Sequence, residues 1–105
     1  MPEIEEIDIA KAQNLIEQGN ITIVDIRAPS DYKNSCIPNA ISLNKENISE
    51  FLKTVDKNKP LLCYCYHGIS SRSAADYFSN QGFRKTYSLI GGFEKWRSSY
   101  PTESA

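Results

Sequence analysis

The side chains best able to do covalent or metal chemistry are three cysteines, Cys36, Cys63 and Cys65, and the single histidine, His67. As a metal set, Cys63-x-Cys65-x-His67 with a distant Cys36 lacks the paired knuckles of a zinc site, so no metal is expected. An odd number of cysteines cannot complete a disulfide framework, and a bridge between Cys63 and Cys65 would be badly strained. What remains is nucleophilic chemistry at Cys65. This residue is followed by Tyr66-His67-Gly68-Ile69-Ser70-Ser71-Arg72. A short loop containing glycine can curl around the sulfur and point several backbone N–H groups at one spot. A helix beginning there adds its positive end. Both effects favour thiolate over thiol, and the same cradle stabilises an anion bound at, or formed on, the sulfur. The plainer alternative makes Cys65 a small core residue.

The neighbouring residues admit two readings each. Ser70 and Ser71 can donate hydroxyl hydrogen bonds to a bound anion, or cap the helix. Arg72 can supply positive potential at the rim, or be a solvated residue of the first helical turn. It lies seven positions after Cys65, whereas a Cys-x5-Arg phosphatase loop needs arginine at six, where Ser71 stands. A phosphate-binding loop would be one residue out of register. Asp25 and Arg27 end an apolar run, and either add charge to the pocket or pin loops by ion pairing; the second is preferred. Cys63 and Cys36 read as packing residues, and Trp96 as core.

Elements must position this chemistry. Residues 21–26 and 61–65 are short, β-branched or apolar runs suited to strands buried on both faces of a parallel sheet. Residues 40–43 and 86–89 read as further strands. Residues 7–9 can form a short first strand, or Asp8 can cap a helix carrying Ala12, Leu15 and Ile16 that stops at Gly19. Pro29-Ser30-Asp31 opens a helical turn. A helix starting at Glu46 or Asn47 places Ile48, Phe51, Leu52 and Val55 on one face. Another covers 71–80, with Ala74, Ala75 and Phe78 inward and Gly82 as its stop. Gly91-Gly92 turns into a last helix carrying Phe93, Trp96 and Arg97. Strands alternating with helices predict an α/β domain: a central, mostly parallel five-stranded sheet with helices on both faces and the site at the carboxyl ends of the strands.

The loop Cys65-Tyr66-His67-Gly68-Ile69-Ser70-Ser71-Arg72 resembles the active-site loop of rhodanese-type sulfurtransferases, and three other segments agree in order. Val24-Asp25-Ile26-Arg27 with Asp31-Tyr32 resembles the family's Asp-x-Arg and acidic-aromatic signature. Ile37-Pro38-Asn39-Ala40-Ile41 sits where the family has an Ile-x-Gly-Ala-type run. Tyr87-Ser88-Leu89-Ile90-Gly91-Gly92-Phe93-Glu94-Lys95-Trp96 resembles its Gly-Gly-x-x-x-Trp ending. The resemblance is greatest to single-domain thiosulfate sulfurtransferases of the GlpE type. Ser35-Cys36 replaces the frequent Gly-His, and Asn39 replaces a glycine; Asn39 can still take positive φ.

The resemblance implies a rhodanese-like fold and two-step transfer of sulfane sulfur through a Cys65 persulfide, with no metal or organic cofactor. The implied donor is thiosulfate. The implied acceptor is cyanide or a small thiol, with thioredoxin, glutathione or another protein thiol as further candidates. It implies an anion-binding loop formed by Tyr66, His67, Gly68, Ile69, Ser70 and Ser71, with Arg72, Asp25 and Arg27 at the rim or in support. Rhodanese loops are one residue shorter than those of the related phosphatases, which disfavours phosphatase and arsenate reductase chemistry. A general-base role for His67 is not required by the resemblance, so loop shaping or a rim position is preferred. The alternative from another class is an interaction module or sulfur relay that works on a protein partner.

Composition bounds the rest. The 105 residues suffice for one domain, 1–105, with a polar tail at about 101–105. Twelve basic against thirteen acidic residues give a net charge of −1, which disfavours nucleic acid as a partner. Hydrophobic residues at 40% and charged ones at 24% describe an ordinary globule rather than a disordered chain. The apolar runs are too short to span a membrane. The acidic start, Met1-Pro2-Glu3-Ile4-Glu5-Glu6, lacks the regions of an export signal, so a reducing cytoplasm is expected.

Overall fold

A computed structural model describes residues 3–104. Five parallel strands form one sheet: β1 (Glu3–Ile7), β2 (Thr22–Asp25), β3 (Ile41–Ser42), β4 (Leu61–Tyr64) and β5 (Lys85–Leu89), in the order β1-β5-β4-β2-β3. Among the described residues four helices connect them, α1 (Ile9–Gln18), α2 (Pro29–Asn34), α3 (Ile48–Thr54) and α4 (Ser70–Asn80), and a fifth, α5 (Gly92–Arg97), follows β5.

The period of two along each strand divides the core into two layers. Ile23, Leu62, Tyr64, Tyr87 and Leu89 face a cluster with Ala12 of α1 and Phe93 and Trp96 of α5. Val24, Leu61 and Cys63 face the other, with Ala75 and Phe78 of α4, Phe83, and the α3 residues Ile48, Phe51 and Leu52. Phe78, Phe83 and Phe51 meet with ring centroids about 6 Å apart. Burying each such ring stabilises the fold by roughly 1.5–3 kcal/mol. Helices therefore lie on both faces, as the alternating pattern predicts. The central strand β4 is fully buried along its length, which explains its unbroken apolar run.

The first strand lies N-terminal to the segment read as one. Asp8 instead caps α1, its carboxylate accepting from the Lys11 amide at 2.8 Å. The strand is the glutamate-rich stretch before it, a composition poor in intrinsic β preference. Tertiary context decides here: β1 is an edge strand, Ile7 is buried, and Glu5 is paired with Lys11 and Lys85. The helix at 48–54 uses Asn47 as its flanking residue without a side-chain cap; the Asn47 amide group bonds to the Ser42 carbonyl. Asn39 takes φ +69. The polar tail is tied down: Cys36 and Glu103 exchange backbone hydrogen bonds at 2.8 and 3.0 Å in an antiparallel bridge.

Candidate active site

β4 ends at Tyr64, Cys65 follows, and α4 begins at Ser70, so the loop has four residues in which to reverse direction. The Gly68 amide points at Cys65 Sγ at 3.1 Å and the Ser71 amide at 3.3 Å. Cys65 is 7% exposed. Burial pushes its thiol up, but the Ser71 hydroxyl and the amides of Ser71, Gly68 and Ser70 outweigh burial and hold it below the ordinary thiol value. The first turn of α4 has N–H groups with no helical partner, and the Ser71 amide is one of them; the Gly68 amide joins it from the loop. Cys63, two residues earlier, shows the contrast. It sits in the core with Sγ 3.4 Å from the Ser71 and Tyr87 carbonyl oxygens, and burial pushes it up to about 12. Cys36 is also buried, and burial, Glu103 and Asp25 raise it.

The loop holds its curl because α5 grips it from behind. Phe93 and Glu94 amides donate to the carbonyls of Cys65 and Tyr66 at 2.9 and 3.0 Å. Gly68 has φ +87, and a Cβ on it would lie 2.8 Å from Leu89 O and Gly91 N. A Cβ on Gly92 would lie 2.5 Å from the carbonyl oxygens of Cys65 and Tyr66. The Gly-Gly segment is thus needed for close approach as well as for a turn.

Of the loop residues singled out from sequence, Gly68 and Ser71 turn their amides to the sulfur, and the Ser70 amide also helps hold its thiol down. The side chains of Tyr66, His67 and Ile69 turn outward. His67 is exposed and its Nδ1 lies 2.7 Å from Glu94 Oε2 on α5. The Tyr66 hydroxyl accepts from Arg97 at 3.0 Å, and Ile69 is 66% exposed. Neither serine caps α4. Ile69 occupies that position with no side-chain cap, and the Ser71 hydroxyl lies 2.7 Å from the Ser88 hydroxyl. Arg72 is half-exposed and engages Glu6 at 3.2 Å and the Gly68 carbonyl at 3.4 Å.

Asp25 and Arg27 form a buried pin. Arg27 Nη2 lies 2.7 Å from Asp25 Oδ2 and donates to the Ser35 carbonyl at 2.6 Å, with its guanidinium 4.1 Å from the Phe93 ring centroid. The Tyr64 hydroxyl donates to the same carboxylate at 2.8 Å while accepting from the Ile37 amide at 3.1 Å. Burial and Asp25 push the Tyr64 phenol up, keeping it a donor. This network locks the ends of β2 and β4 and the segment before β3 behind the loop. Sequence reasoning passed over Ser88, Glu94 and Arg97; only their places in the Gly-Gly-x-x-x-Trp segment and just after it pointed toward the site. Arg97 and Tyr66 line an open depression of about 580 Å³ beside the loop, with Phe93, Arg27, Asp31, Asn34 and Ser35. Among the described residues no group of three or more His, Cys, Asp or Glu side chains is placed to hold a metal ion. No helix among them is long and apolar enough to cross a membrane.

A parallel α/β sheet presenting a cysteine to the amides of a short loop and a helix start defines a class of cysteine-loop domains, and sequence comparison narrows it. Residues 8–99 match the rhodanese-like domain, and the chain belongs to that family. It is 48% identical over its full length to a Pseudomonas fluorescens protein named thiosulfate sulfurtransferase GlpE, covering 95% of that relative. It is 43% identical over 95% of its length to a Coxiella burnetii protein of the same name, covering 94% of it. The crystal structure of a rhodanese-related protein from Thermoplasma volcanium superposes with a TM-score of 0.81 at 24% identity, covering 96% of this chain and 99% of that one, a likeness of fold.

Proposed function

We propose that this protein is a thiosulfate sulfurtransferase in which Cys65 carries the transferred sulfur. The observation that carries the reading is the convergence of the Gly68 and Ser71 amides on Cys65 Sγ, with the start of α4 behind them. The relatives named thiosulfate sulfurtransferase support the donor. In the first step the Cys65 thiolate attacks the outer sulfur of thiosulfate. The new bond joins Sγ to that sulfur. The bond to the sulfonate sulfur breaks, and its electron pair leaves with sulfite, so Cys65 becomes a persulfide anion. In the second step cyanide or a thiolate takes the outer sulfur, and the electron pair of the S–S bond returns to Sγ. Each step begins and ends with an anion at one place. A fixed cradle of N–H donors suits that demand, because it needs no rearrangement between steps.

The half-exposed pair His67 and Glu94 supports a rim role for His67 rather than proton transfer, since neither step moves a proton. Arg72 is engaged with Glu6 and the Gly68 carbonyl, which supports the loop from outside. Three free thiols suit a reducing cytoplasm. Thiosulfate should convert the purified protein to a species heavier by one sulfur atom, and Cys65→Ser should stay unmodified. Wild-type protein that gains no sulfur and forms no thiocyanate from cyanide would overturn the reading.

A second reading makes the chain a sulfur relay to a protein thiol. It is favoured by the exposed apolar side chains Ile69, Ile90 and Tyr66 on and beside the loop, and by the open depression next to it. Transfer to a protein thiol such as thioredoxin far faster than to cyanide at equal concentration would select it.

A further inference from the structure

The open depression beside the loop, about 580 Å³, is of a size usual for small-molecule sites. Two of its lining residues are tied to the backbone of the nucleophile. Tyr66 follows Cys65 in the chain, and the Phe93 amide donates to the Cys65 carbonyl at 2.9 Å. Consecutive Cα atoms lie about 3.8 Å apart, so the depression begins one residue from Cys65. Two opposite charges also line it: Arg97 and Asp31, both exposed. Among the described residues neither takes part in an ion pair, with the other or with any third group. Tyr66 holds Arg97 in place. Its hydroxyl accepts from Arg97 Nη2 at 3.0 Å, and the guanidinium carbon lies 5.6 Å from its ring centroid. Most of the guanidinium N–H donors are left unused, and the phenol, having accepted, still has its own proton to give. Arg27 lines the depression too, but Asp25 at 2.7 Å already matches its charge.

A positive and a negative group that border one open space without meeting complement a zwitterion. A simple anion there would face Asp31 unmatched, and a neutral thiol would use neither charge. We propose that this depression is the acceptor subsite and that it takes a small thiol of the amino-acid class. The acceptor's carboxylate lies on Arg97 and the Tyr66 hydroxyl, and its ammonium group on Asp31. Its thiolate attacks the outer sulfur of the Cys65 persulfide. The bond from that sulfur to Sγ breaks, the electron pair returns to Sγ, and the acceptor leaves as a persulfide anion. No oxidant or reductant is consumed. Arg97 and Asp31 thereby determine which acceptor is used. The inference rests on the reading of Cys65 as the sulfur carrier.

The test starts from Cys65 persulfide made with thiosulfate, freed of excess donor and confirmed by mass. Its discharge is timed with cysteine, which has both charged groups, 3-mercaptopropionate with the carboxylate alone, cysteamine with the ammonium alone, and 2-mercaptoethanol with neither. The proteins are wild type, Arg97→Gln, Asp31→Asn and Lys95→Gln, the last removing an exposed charge of α5 that lies outside the depression. The ratio of variant to wild-type rate, taken for each thiol, cancels the thiol's own reactivity. Arg97→Gln should slow cysteine and 3-mercaptopropionate by about three- to ten-fold and leave the other two within about two-fold. Asp31→Asn should slow cysteine and cysteamine by about three- to ten-fold and spare the other two. Lys95→Gln should leave all four within about two-fold. Equal losses with all four thiols would reduce Arg97 to a support for Tyr66 and overturn the inference. Unchanged rates in Arg97→Gln and Asp31→Asn would overturn it too, as would the same selective loss in Lys95→Gln, the mark of a general field. Wild-type protein that takes no sulfur from thiosulfate would instead sink the Cys65 reading, and this inference with it.

Discussion

The Phe93 amide donates to the Cys65 carbonyl at 2.9 Å, so the first turn of α5 holds the backbone of the very residue whose side chain faces the first turn of α4. Two helix N-termini thus converge on one cysteine, one on its carbonyl and one on its sulfur. With carbonyls of Cys65 and Tyr66 drawn toward α5, the amides after them are free to turn inward. Gly92 is where this grip is closest. At φ +59, a Cβ there would sit 2.5 Å from both carbonyl oxygens. Gly92→Ala should destabilise the fold by at least about 2 kcal/mol and slow alkylation of Cys65 in whatever remains folded. Urea unfolding and iodoacetamide labelling measure the two effects. Unchanged values for both would mean that the contact between α5 and the loop is not what shapes the cradle.

The three cysteines should label in a fixed order. Cys65 has its thiol held down by N–H donors and the Ser71 hydroxyl against the pull of burial, while burial raises Cys36 and Cys63. Near neutral pH, one equivalent of iodoacetamide should therefore go to Cys65, with Cys63 modified only on global unfolding. Peptide mapping after partial labelling checks this. Equal modification of all three would contradict the environments described.

The opposite shifts of Cys65 and Cys63 give stability two opposed pH dependences. The folded state releases the Cys65 proton more readily than the unfolded chain does. That contribution is complete above the unfolded thiol value and is lost as pH falls through the folded value. The Cys63 thiol, at about 12 against 9.0 unfolded, behaves in reverse: its contribution is complete below 9.0 and is lost as pH rises toward 12. Against Cys65→Ser, the urea midpoint of wild type should rise as pH climbs toward about 9. Against Cys63→Ala, the wild-type advantage should shrink above it. Parallel profiles in either comparison would show that the thiol concerned titrates alike in both states.

His67→Gln should keep sulfur transfer within about three-fold of wild type, since a general acid or base would cost about a hundred-fold or more. The exposed pairing with Glu94 makes the stability change small as well, under about 1 kcal/mol. Steady-state thiocyanate formation decides it; a hundred-fold loss of kcat would restore the histidine to the chemistry.

Much of this was legible in the sequence because the pattern is local. The apolar runs at β2 and β4 announce buried strands, and a glycine and two serines after Cys65 announce a turn into a helix. β1 was displaced because its sequence is dictated by position, not by propensity: at a sheet edge, Glu5 can be held by Lys11 and Lys85. The partner of the Ser71 hydroxyl was hidden for a different reason. Capping is a local preference, whereas the Ser71 hydroxyl lies against that of Ser88, seventeen residues away on β5. Asp25 and Arg27 are close in sequence, so their pairing suggests itself, but their third partner, Tyr64, lies thirty-nine residues along the chain from Asp25.

The bridge between Cys36 and Glu103 gives the molecule a clock for its own C-terminal end. Cys36 is 1% exposed, and the strand-like contact with residue 103 covers its backbone. A thiol reagent in excess should reach that sulfur faster whenever the tail lets go of this segment. The Cys36 labelling rate thus counts the openings of one small seam, while Cys63, sealed under β5 and α4, counts only the unfolding of the whole.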